Sequence, residues 1–377
     1  MAKLTIQHPV FRHAPAVTFG RGSLRSLGRL HTTDTVYLTS AATAVKTYLA
    51  ASLSKDGIEL DSASILEKPA GEPTADALRI GAAFLEQHKP GRIVAIGGGS
   101  VLDWARLVWA LASGALDPDS GKFDATAADY RVSFCLAPTT CGTGAEAADV
   151  VVYSADDGTK RSVVSPVFMA DQVILDGRFL DDIPRSVMAS FVCDAISHAV
   201  ESYLSVVPGG LAKGASVHAL NLLLDNFGES PSHSQQDRLM EGSFLAGVAA
   251  ANCSVGIIHA FAHSIGQDKV PHGLANAAGL DNGIAYNAET RPMAGLLAAL
   301  GLPDVETLRA KIGAISSVAL GSVGDHAALR RLGEAGYQDI VAERMAGDVT
   351  IRSNPRRPDG DELVQFVRDV AAQLAAR

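Results

Sequence analysis

Short apolar runs alternate with helical patterns over the first half of the chain. The runs "TVYLTS" (35–40) and "RIVAIGGGS" (92–100) have the length and composition of buried strands. Further strands are predicted at "SASILEK" (62–68), "RVSFCLAP" (131–138) and "VVVYS" (about 151–154). Three helices are predicted between the strands: one at "AVKTYLAASL", a second from Thr74 to about His88, and a third at "VLDWARLVWALAS". This strand–helix alternation predicts a parallel sheet with helices on both faces.

From about Asp181 the pattern changes to long stretches with helical period, such as "SVMASFVCDAISHAVESYL", and strand patterns disappear. A chain of 377 residues is longer than one hydrophobic core usually serves. We therefore predict an α/β domain over residues 1–180 and an all-α domain over residues 181–377.

Composition narrows the class of protein. An apolar content of 47% and a charged content of 19% are typical of a globular chain, and the net charge of −9 gives no reason to expect nucleic acid or an anionic membrane as partner. The N-terminus lacks the apolar core of a signal peptide, and no apolar run reaches the roughly 18 residues of a membrane span. With four scattered cysteines, none in CxxC spacing, these features predict a cytoplasmic protein.

Two loops of small residues follow successive predicted strands. In "IGGGSVLDWAR", Gly97, Gly98 and Gly99 would let backbone N–H groups approach a phosphate, and Ser100 is predicted to cap the following helix. The second loop, "PTTCGTGAEA" (138–147), offers hydroxyls and open backbone. Each loop alone could be a simple turn, but two of them at one edge of a parallel sheet favour a dinucleotide site.

Carboxylate and imidazole side chains recur at helical spacing in the second half. Asp194 and His198 are four residues apart, as are His259 and His263, and His272 follows in "PHG". Each pair could be an ordinary helix-surface pair. Together, one carboxylate and several imidazoles are a donor set that suits Zn²⁺ or Fe²⁺.

The motifs "GGGSVLDWAR", "PTTCGTGAEA", "CDAISHAVESY" and "HAFAHSIGQDKVPHGLANA", in this order, resemble the iron-containing (group III) alcohol dehydrogenases. The resemblance extends from "VTFGRGSL" near residue 20 to "NPR" (354–356). It implies a dehydroquinate-synthase-like fold with a dinucleotide-binding domain and a helical metal domain. It also implies that Asp194, His198, His259 and His272 hold the metal, and that His263 serves the chemistry beside nicotinamide and substrate.

The implied activity is that of a metal-dependent, NAD(P)-linked alcohol dehydrogenase or aldehyde reductase acting on a small alcohol or aldehyde. Fe²⁺ is the expected metal and Zn²⁺ the alternative, and the family suggests a homodimer. The residues expected to contact the cofactor are Ser40, Gly97, Gly98, Gly99, Ser100, Asp103, Thr139, Thr140, Thr143 and Lys160.

The sequence departs from the family pattern at three places. Arg106 replaces the lysine that commonly ends the glycine motif, and the segment between His259 and His272 is one residue shorter than expected. Ser40 stands where many NAD-using relatives have an aspartate that repels a 2′-phosphate, so we predict that NADP(H) is tolerated. An anionic substrate, such as phosphonoacetaldehyde or a hydroxy acid, would need a cation near the metal, and Lys213 and Lys269 are candidates unless they are ordinary solvated lysines.

Two other hypotheses remain open at this stage. One is a glycerol-dehydrogenase-like or dehydroquinate-synthase-like metalloenzyme, which would share the architecture and a metal. The other is a catalytically inactive scaffold that binds a nucleotide. The full set of candidate ligands together with His263 favours the dehydrogenase over the scaffold.

Overall fold

The computed structural model describes residues 11–12, 16–156, 159–321 and 326–376. The chain divides into two compact units, His13–Asp182 and a second unit that combines Met1–Arg12 with Ile183–Arg377. The first is an α/β unit and the second is helical. The predicted combination of a parallel sheet with an all-helical C-terminal region is confirmed.

The strands of the α/β unit are β1 (Ala16–Phe19), β2 (Thr35–Thr39), β3 (Ile65–Glu67), β4 (Arg92–Gly97), β5 (Leu116–Asp117), β6 (Lys122–Phe123), β7 (Ser133–Pro138), β8 (Val150–Ser154), β9 (Lys160–Val164) and β10 (Gln172–Leu175). Six of them form a parallel sheet in the order β1-β10-β7-β4-β2-β3. The remaining four form two antiparallel hairpins, β5–β6 and β8–β9.

The helices of this unit are α1 (Leu27–Leu30), α2 (Thr43–Ser54), α3 (Ala75–His88) and α4 (Gly99–Ala112). The hydroxyl of Thr74 accepts a hydrogen bond from the N–H of Ala77 and so begins α3. Trp104 of α4 is fully buried and donates its indole N–H to the carbonyl of Ala77, 2.8 Å away. Helices α3 and α4 therefore pack together through a satisfied aromatic side chain.

Three details of the sequence prediction are wrong. The run "VVVYS" lies in the β8–β9 hairpin and not in the parallel sheet. Ser62–Ser64 form a 3₁₀ turn, capped by Asp61, so β3 is only three residues long. Ser100 does not cap α4, because the helix already begins at Gly99 and the extended residue before it is Gly98.

The helical unit contains α5 (Arg185–Leu204), α6 (Gly210–Asn226), α7 (His233–Cys253), α8 (Ile257–Gly266), α9 (His272–Tyr286), α10 (Arg291–Leu300), α11 (Val305–Leu320), α12 (Ala327–Arg331), α13 (Ala335–Gly347) and α14 (Gly360–Ala375). Helix α5 is buried on most of its surface and packs against α6, α7, α9 and α11. A helix surrounded in this way gives its polar side chains little access to water, so each needs a partner.

No described helix alone combines the length and apolar character needed to cross a membrane. Helices α7 and α8 pass that test only as a pair, on length and composition, with a bend of 100° between them.

Candidate active site

Asp194 and His198 lie one turn apart on the buried helix α5. Oδ1 of Asp194 lies 3.6 Å from Nδ1 of His198, 3.8 Å from Nε2 of His259 and 3.5 Å from Nε2 of His272. Donors that share a tetrahedral Zn²⁺ at roughly 2.1 Å lie roughly 3.4 Å apart. The spacing around Asp194 is therefore close to that of a metal coordination shell.

The other two imidazoles come from the N-terminal regions of α8 and α9. His259 is buried on α8, whereas His272 is the first residue of α9 and its side chain is 38% exposed. Helix α9 can approach α5 this closely because Gly273 has no Cβ, and a Cβ there would lie 2.5 Å from the carbonyl oxygen of Ser190. The glycine of "PHG" thus has a packing role beside the candidate ligand.

Two buried imidazole nitrogens make no hydrogen bond within the described part of the chain. They are Nδ1 of His198 and Nε2 of His259. A buried polar atom without a partner costs about 1–3 kcal/mol, and a bound cation would satisfy both. Burial, followed by the neighbouring His198, holds the pKa of His259 well below its usual value, so the ring is neutral, as a metal ligand must be. The residues present therefore fit a divalent metal.

Glu201 holds the other side of His259. Its Oε2 lies 2.6 Å from Nδ1 of His259, and its Oε1 accepts the backbone N–H of Ile258 at 2.6 Å. Burial raises the pKa of Glu201 to about 8, against the opposing effect of backbone N–H donors at the start of α8. When ionised, Glu201 accepts the Nδ1–H of His259, and a carboxylate–histidine pair of this kind leaves Nε2 free to bind metal.

The start of α8 is also held by the asparagine of "NPR". Oδ1 of Asn354 accepts the N–H of Ile257 at 3.4 Å, and Asn354 exchanges hydrogen bonds with Asn287. A Cβ on Gly256 would lie 2.7 Å from Asn354 Oδ1 and 3.1 Å from Glu201 Oε1. The first turn of α8, which carries His259, is therefore enclosed by two side chains from distant parts of the chain.

Asn276 is a further residue that the sequence analysis missed. Its Nδ2 donates to Oδ1 of Asp194 at 2.7 Å and lies 3.2 Å from Nε2 of His272. The signal was present in the sequence, because Asn276 follows His272 by one helical turn, and Glu201 follows Asp194 by two. Following the helix face from each predicted ligand would therefore have identified Asn276 and Glu201.

His263 lies beside the cluster but is more exposed. Its ring stacks on that of His272, with centroids 5.5 Å apart and planes at 16°, and meets His259 edge-on at 5.9 Å. Its Nδ1 lies 2.8 Å from Oδ2 of Asp348. The structure thus groups His263 with the predicted ligands and adds a carboxylate that the sequence did not indicate.

In the α/β unit, the two small-residue loops lie side by side at the carboxyl ends of β4 and β7, where Gly97 is in register with Pro138. A Cβ on Gly99 would lie 2.7 Å from Oγ1 of Thr143, and a Cβ on Gly98 would lie 3.5 Å from Thr140. The backbone N–H of Thr139 donates to the carbonyl of Gly97 at 3.0 Å. Ser100 and Thr143 of these loops are exposed.

The side chains of Asp103 and Arg106 are engaged within the protein. Asp103 binds Arg106 Nη2 at 2.7 Å and accepts the backbone N–H of Val152 at 3.1 Å. The fully buried guanidinium also donates to the carbonyls of Ala148 and Phe168 at 2.7 and 3.2 Å. Arginine in place of the family lysine thus joins α4 to two loops and to β8.

The remaining predicted residues are dispersed over this unit and the helical unit. Ser40 follows β2, and its buried hydroxyl makes no hydrogen bond within the described residues. Lys160 forms an exposed ion pair with Glu72 at 2.9 Å. Lys213 lies 5.3 Å above the ring of Tyr203, and Lys269 is exposed with a φ of +66°. These contacts do not assign a ligand to either lysine of the helical unit.

The chain matches two consecutive family descriptions. "Iron-containing alcohol dehydrogenase" covers residues 14–177, and "Fe-containing alcohol dehydrogenase family, C-terminal" covers residues 188–371. The probable alcohol dehydrogenase EutG of Salmonella typhimurium is 30% identical over 84% of this chain and 82% of EutG. The chain belongs to the iron-containing alcohol dehydrogenase family, a family of oxidoreductases that uses Fe²⁺ with NAD(H) or NADPH.

Other relatives differ in length or are similar mainly in fold. The bifunctional aldehyde-alcohol dehydrogenase AdhE of Escherichia coli (strain K12) is 31% identical over 59% of this chain, but the match spans only 27% of AdhE. The structure of an iron-containing alcohol dehydrogenase from Thermococcus thioreducens gives a TM-score of 0.84 at 22% identity, covering 96% of this chain and 100% of that one.

Proposed function

We propose that this protein is a metal-dependent, NAD(P)-linked alcohol dehydrogenase that acts mainly as a reductase of small aldehydes. One observation carries the proposal: Asp194, His198 and His259 bring ligand atoms within 4.8 Å of one another, and two buried imidazole nitrogens there have no hydrogen-bond partner among the described residues. His272 would complete the set. Fe²⁺ is the expected ion, with Zn²⁺ as the alternative.

A bound divalent cation supplies Lewis-acid polarisation of the substrate oxygen. The protein's own residues do the rest. Glu201 and Asn276 orient the ligand side chains, and His263 holds or releases a proton. In this proposal residues 1–180 bind the dinucleotide through Gly97, Gly98, Gly99, Ser100, Thr139, Thr140 and Thr143, with Asp103 and Lys160 nearby, and residues 181–377 bind the metal.

Ser40 bears on the choice of cofactor. A serine hydroxyl does not repel a 2′-phosphate, and the Ser40 hydroxyl is without a protein partner in the described residues. We expect NADP(H) to be accepted, with kcat/KM for NADH no more than about tenfold above that for NADPH, which corresponds to ~1.4 kcal/mol. We further expect a cytoplasmic homodimer with no nucleic-acid or membrane partner, and the substrate class includes anionic aldehydes.

The test is oxidation of NADPH and NADH against a panel of small aldehydes, neutral and anionic. The protein is stripped of metal and reloaded anaerobically with Fe²⁺ or Zn²⁺. Turnover that requires the metal is the expected result. Tight nucleotide binding without turnover in either metal form would contradict the proposal and favour an inactive scaffold or a synthase-like enzyme.

A further inference from the structure

One carboxylate oxygen of Asp348 caps the helical turn that follows it, and the other oxygen faces a histidine. Oδ1 accepts the backbone N–H of Thr350 at 2.8 Å and the hydroxyl of Thr350 at 2.7 Å. Oδ2 lies 2.8 Å from Nδ1 of His263, 85 residues earlier in the chain. Each oxygen therefore has a distinct partner, and the cap on Thr350 fixes the direction in which Oδ2 points.

The hydrogen bond determines where the proton of the imidazole lies. Burial would raise the pKa of Asp348, but hydrogen bonds from His263 and Thr350 outweigh burial and lower it, so this carboxylate is an acceptor. Nδ1 of His263 must then carry the hydrogen, which leaves the lone pair of the neutral ring on Nε2. Nε2 makes no hydrogen bond to any described residue.

The side chain of His263 contacts two candidate metal ligands and is also exposed to solvent. The ring is held against His272 and His259, two of the candidate metal ligands, and its side chain is 43% exposed whereas that of Asp348 is 15% exposed. The free Nε2 is thus on a side chain that touches the candidate metal centre and also reaches solvent. A general base needs both a lone pair and a route for its proton.

We propose that Asp348 is a positioning residue that keeps His263 in the Nδ1–H tautomer, so that Nε2 exchanges the substrate proton. The inference rests on the proposed dehydrogenase function. When the alcohol is oxidised, its carbon gives a hydride to the nicotinamide of NAD(P)⁺, the C–O bond becomes C=O, and the hydroxyl proton goes to Nε2. In the reverse direction NAD(P)H supplies the hydride and Nε2 returns the proton to oxygen.

The substitution Asp348→Asn tests this with little change in shape. Asparagine is also a good cap, but only its oxygen can accept the N–H of Thr350. The amide –NH₂ must then face His263, where it can only donate. Nδ1 is forced to become the acceptor and the hydrogen moves to Nε2, which inverts the tautomer.

A matched control is available in the same unit. Asp304 caps α11 through the same two kinds of hydrogen bond, from the N–H of Thr307 at 2.8 Å and from its hydroxyl at 2.7 Å, and makes no hydrogen bond or ion pair with a histidine of the described segments. Asp304→Asn removes one negative charge from a helix cap, as Asp348→Asn does. It should leave His263 and turnover unchanged.

The experiment combines spectroscopy with turnover on the full chain. Histidine-selective ¹⁵N NMR of the Zn²⁺-loaded protein, with His263→Gln to assign the resonances, should show Nδ1–H in the wild type and in Asp304→Asn, but Nε2–H in Asp348→Asn. With Fe²⁺ or Zn²⁺, kcat of Asp348→Asn should fall by at least about a hundredfold, while its Kd for Zn²⁺ stays within about threefold of wild type.

Three results would overturn the inference: an unchanged tautomer in Asp348→Asn, an equal loss of kcat in Asp304→Asn, or a large loss of Zn²⁺ affinity in Asp348→Asn. The last would make Asp348 part of the scaffold of the metal centre. A wild-type protein without turnover would instead contradict the proposed function, and the NMR comparison would still decide the tautomer.

Discussion

The candidate ligand sites of the two units are built in opposite ways. In the helical unit, the side chains of Asp194, His198 and His259 converge, and two of their nitrogen atoms make no hydrogen bond within the part of the chain that the structure describes. In the α/β unit, the loops after β4 and β7 are formed by residues with small side chains, while the charged Asp103 and Arg106 bind each other. A metal is bound by the side chains that are present, whereas a phosphate is approached through backbone that side chains leave open.

Buried carboxyl groups show the same contrast. Glu201 in the helical unit and Glu146 in the α/β unit are both almost fully buried, and burial raises the pKa of Glu201 to about 8 and that of Glu146 to about 7. Glu201 faces His259 and two backbone N–H groups. For Glu146 the opposing effects are a hydrogen bond from its own backbone N–H and the charge of Arg106, and burial outweighs both, so the charged form is a cost to folding.

The largest effect should follow from Asp194→Ala. Because Asp194 contacts the imidazoles of His198, His259 and His272, its removal should weaken metal binding by more than about a hundredfold and abolish metal-dependent turnover. Metal content is measured by elemental analysis after dialysis. Asp281→Ala on α9, which breaks an ion pair with Arg309 of α11, is the control and should keep its metal. Full metal content in Asp194→Ala would refute the site.

The next largest effect is expected on the stability of the α/β unit, which should depend on pH through Glu146. Since burial raises the pKa of Glu146 from about 4.5 in the unfolded chain to about 7, the folded state prefers the protonated form. The stability that comes from this preference is fully present below pH 4.5. It is lost as the pH rises through 7, and the loss amounts to about 3 kcal/mol. Urea unfolding of wild type and Glu146→Gln across this range should give curves that diverge by that difference, and parallel curves would contradict it.

A smaller effect is expected from Glu201→Gln. One end of the glutamine amide must face a donor, either at Nδ1 of His259 or at the N–H of Ile258, so the start of α8 loses a hydrogen bond. We expect Zn²⁺ affinity to fall by about tenfold, the lower end for residues that orient metal ligands. Competition with a chromogenic chelator measures it, and an unchanged Kd would show that Glu201 serves the fold alone.

The smallest effects are expected from alanine substitutions at two glycines of the loop after β4, one with space for a Cβ and one without. A Cβ on Gly98 would make only an ordinary contact of 3.5 Å with Thr140, so Gly98→Ala should keep the melting temperature but weaken NAD(P)H binding severalfold. A Cβ on Gly97 would lie 2.5 Å from Cβ of Val101, so Gly97→Ala should cost about 1–3 kcal/mol of stability. Nucleotide titration and thermal unfolding of both variants check the pair, and equal losses of stability would refute the distinction.

Local patterns predicted the elements that carry the candidate site residues. The four-residue spacing of Asp194 and His198 identified one face of α5, and the glycines after "RIVAI" identified the end of β4. The apolar run "VVVYS" indicated a strand correctly, but composition alone does not say which sheet a strand joins. The cap of α4 was misplaced by two residues, because a glycine can take the extended backbone of a cap without a side chain to mark it.

Some partners of the histidines follow from helical spacing, and others required the tertiary structure. Glu201 could have been found by extending the α5 face by two turns, and Asn276 by extending the α9 face by one. Asp348 and Asn354 could not, because 85 and 97 residues separate them from the α8 positions that they contact. No period in the sequence relates residues that far apart.

The enclosure of the first turn of α8 has a consequence for synthesis. Glu201 precedes that turn by 57 residues and is available as α8 emerges from the ribosome, whereas Asn354 follows it by 97 residues. The α/β unit can fold while the rest of the chain is being made. His259 and His263, in contrast, lie on a helix that gains its contacts with Asp348 and Asn354 only once those residues have been translated, so the proposed metal site is completed late in synthesis.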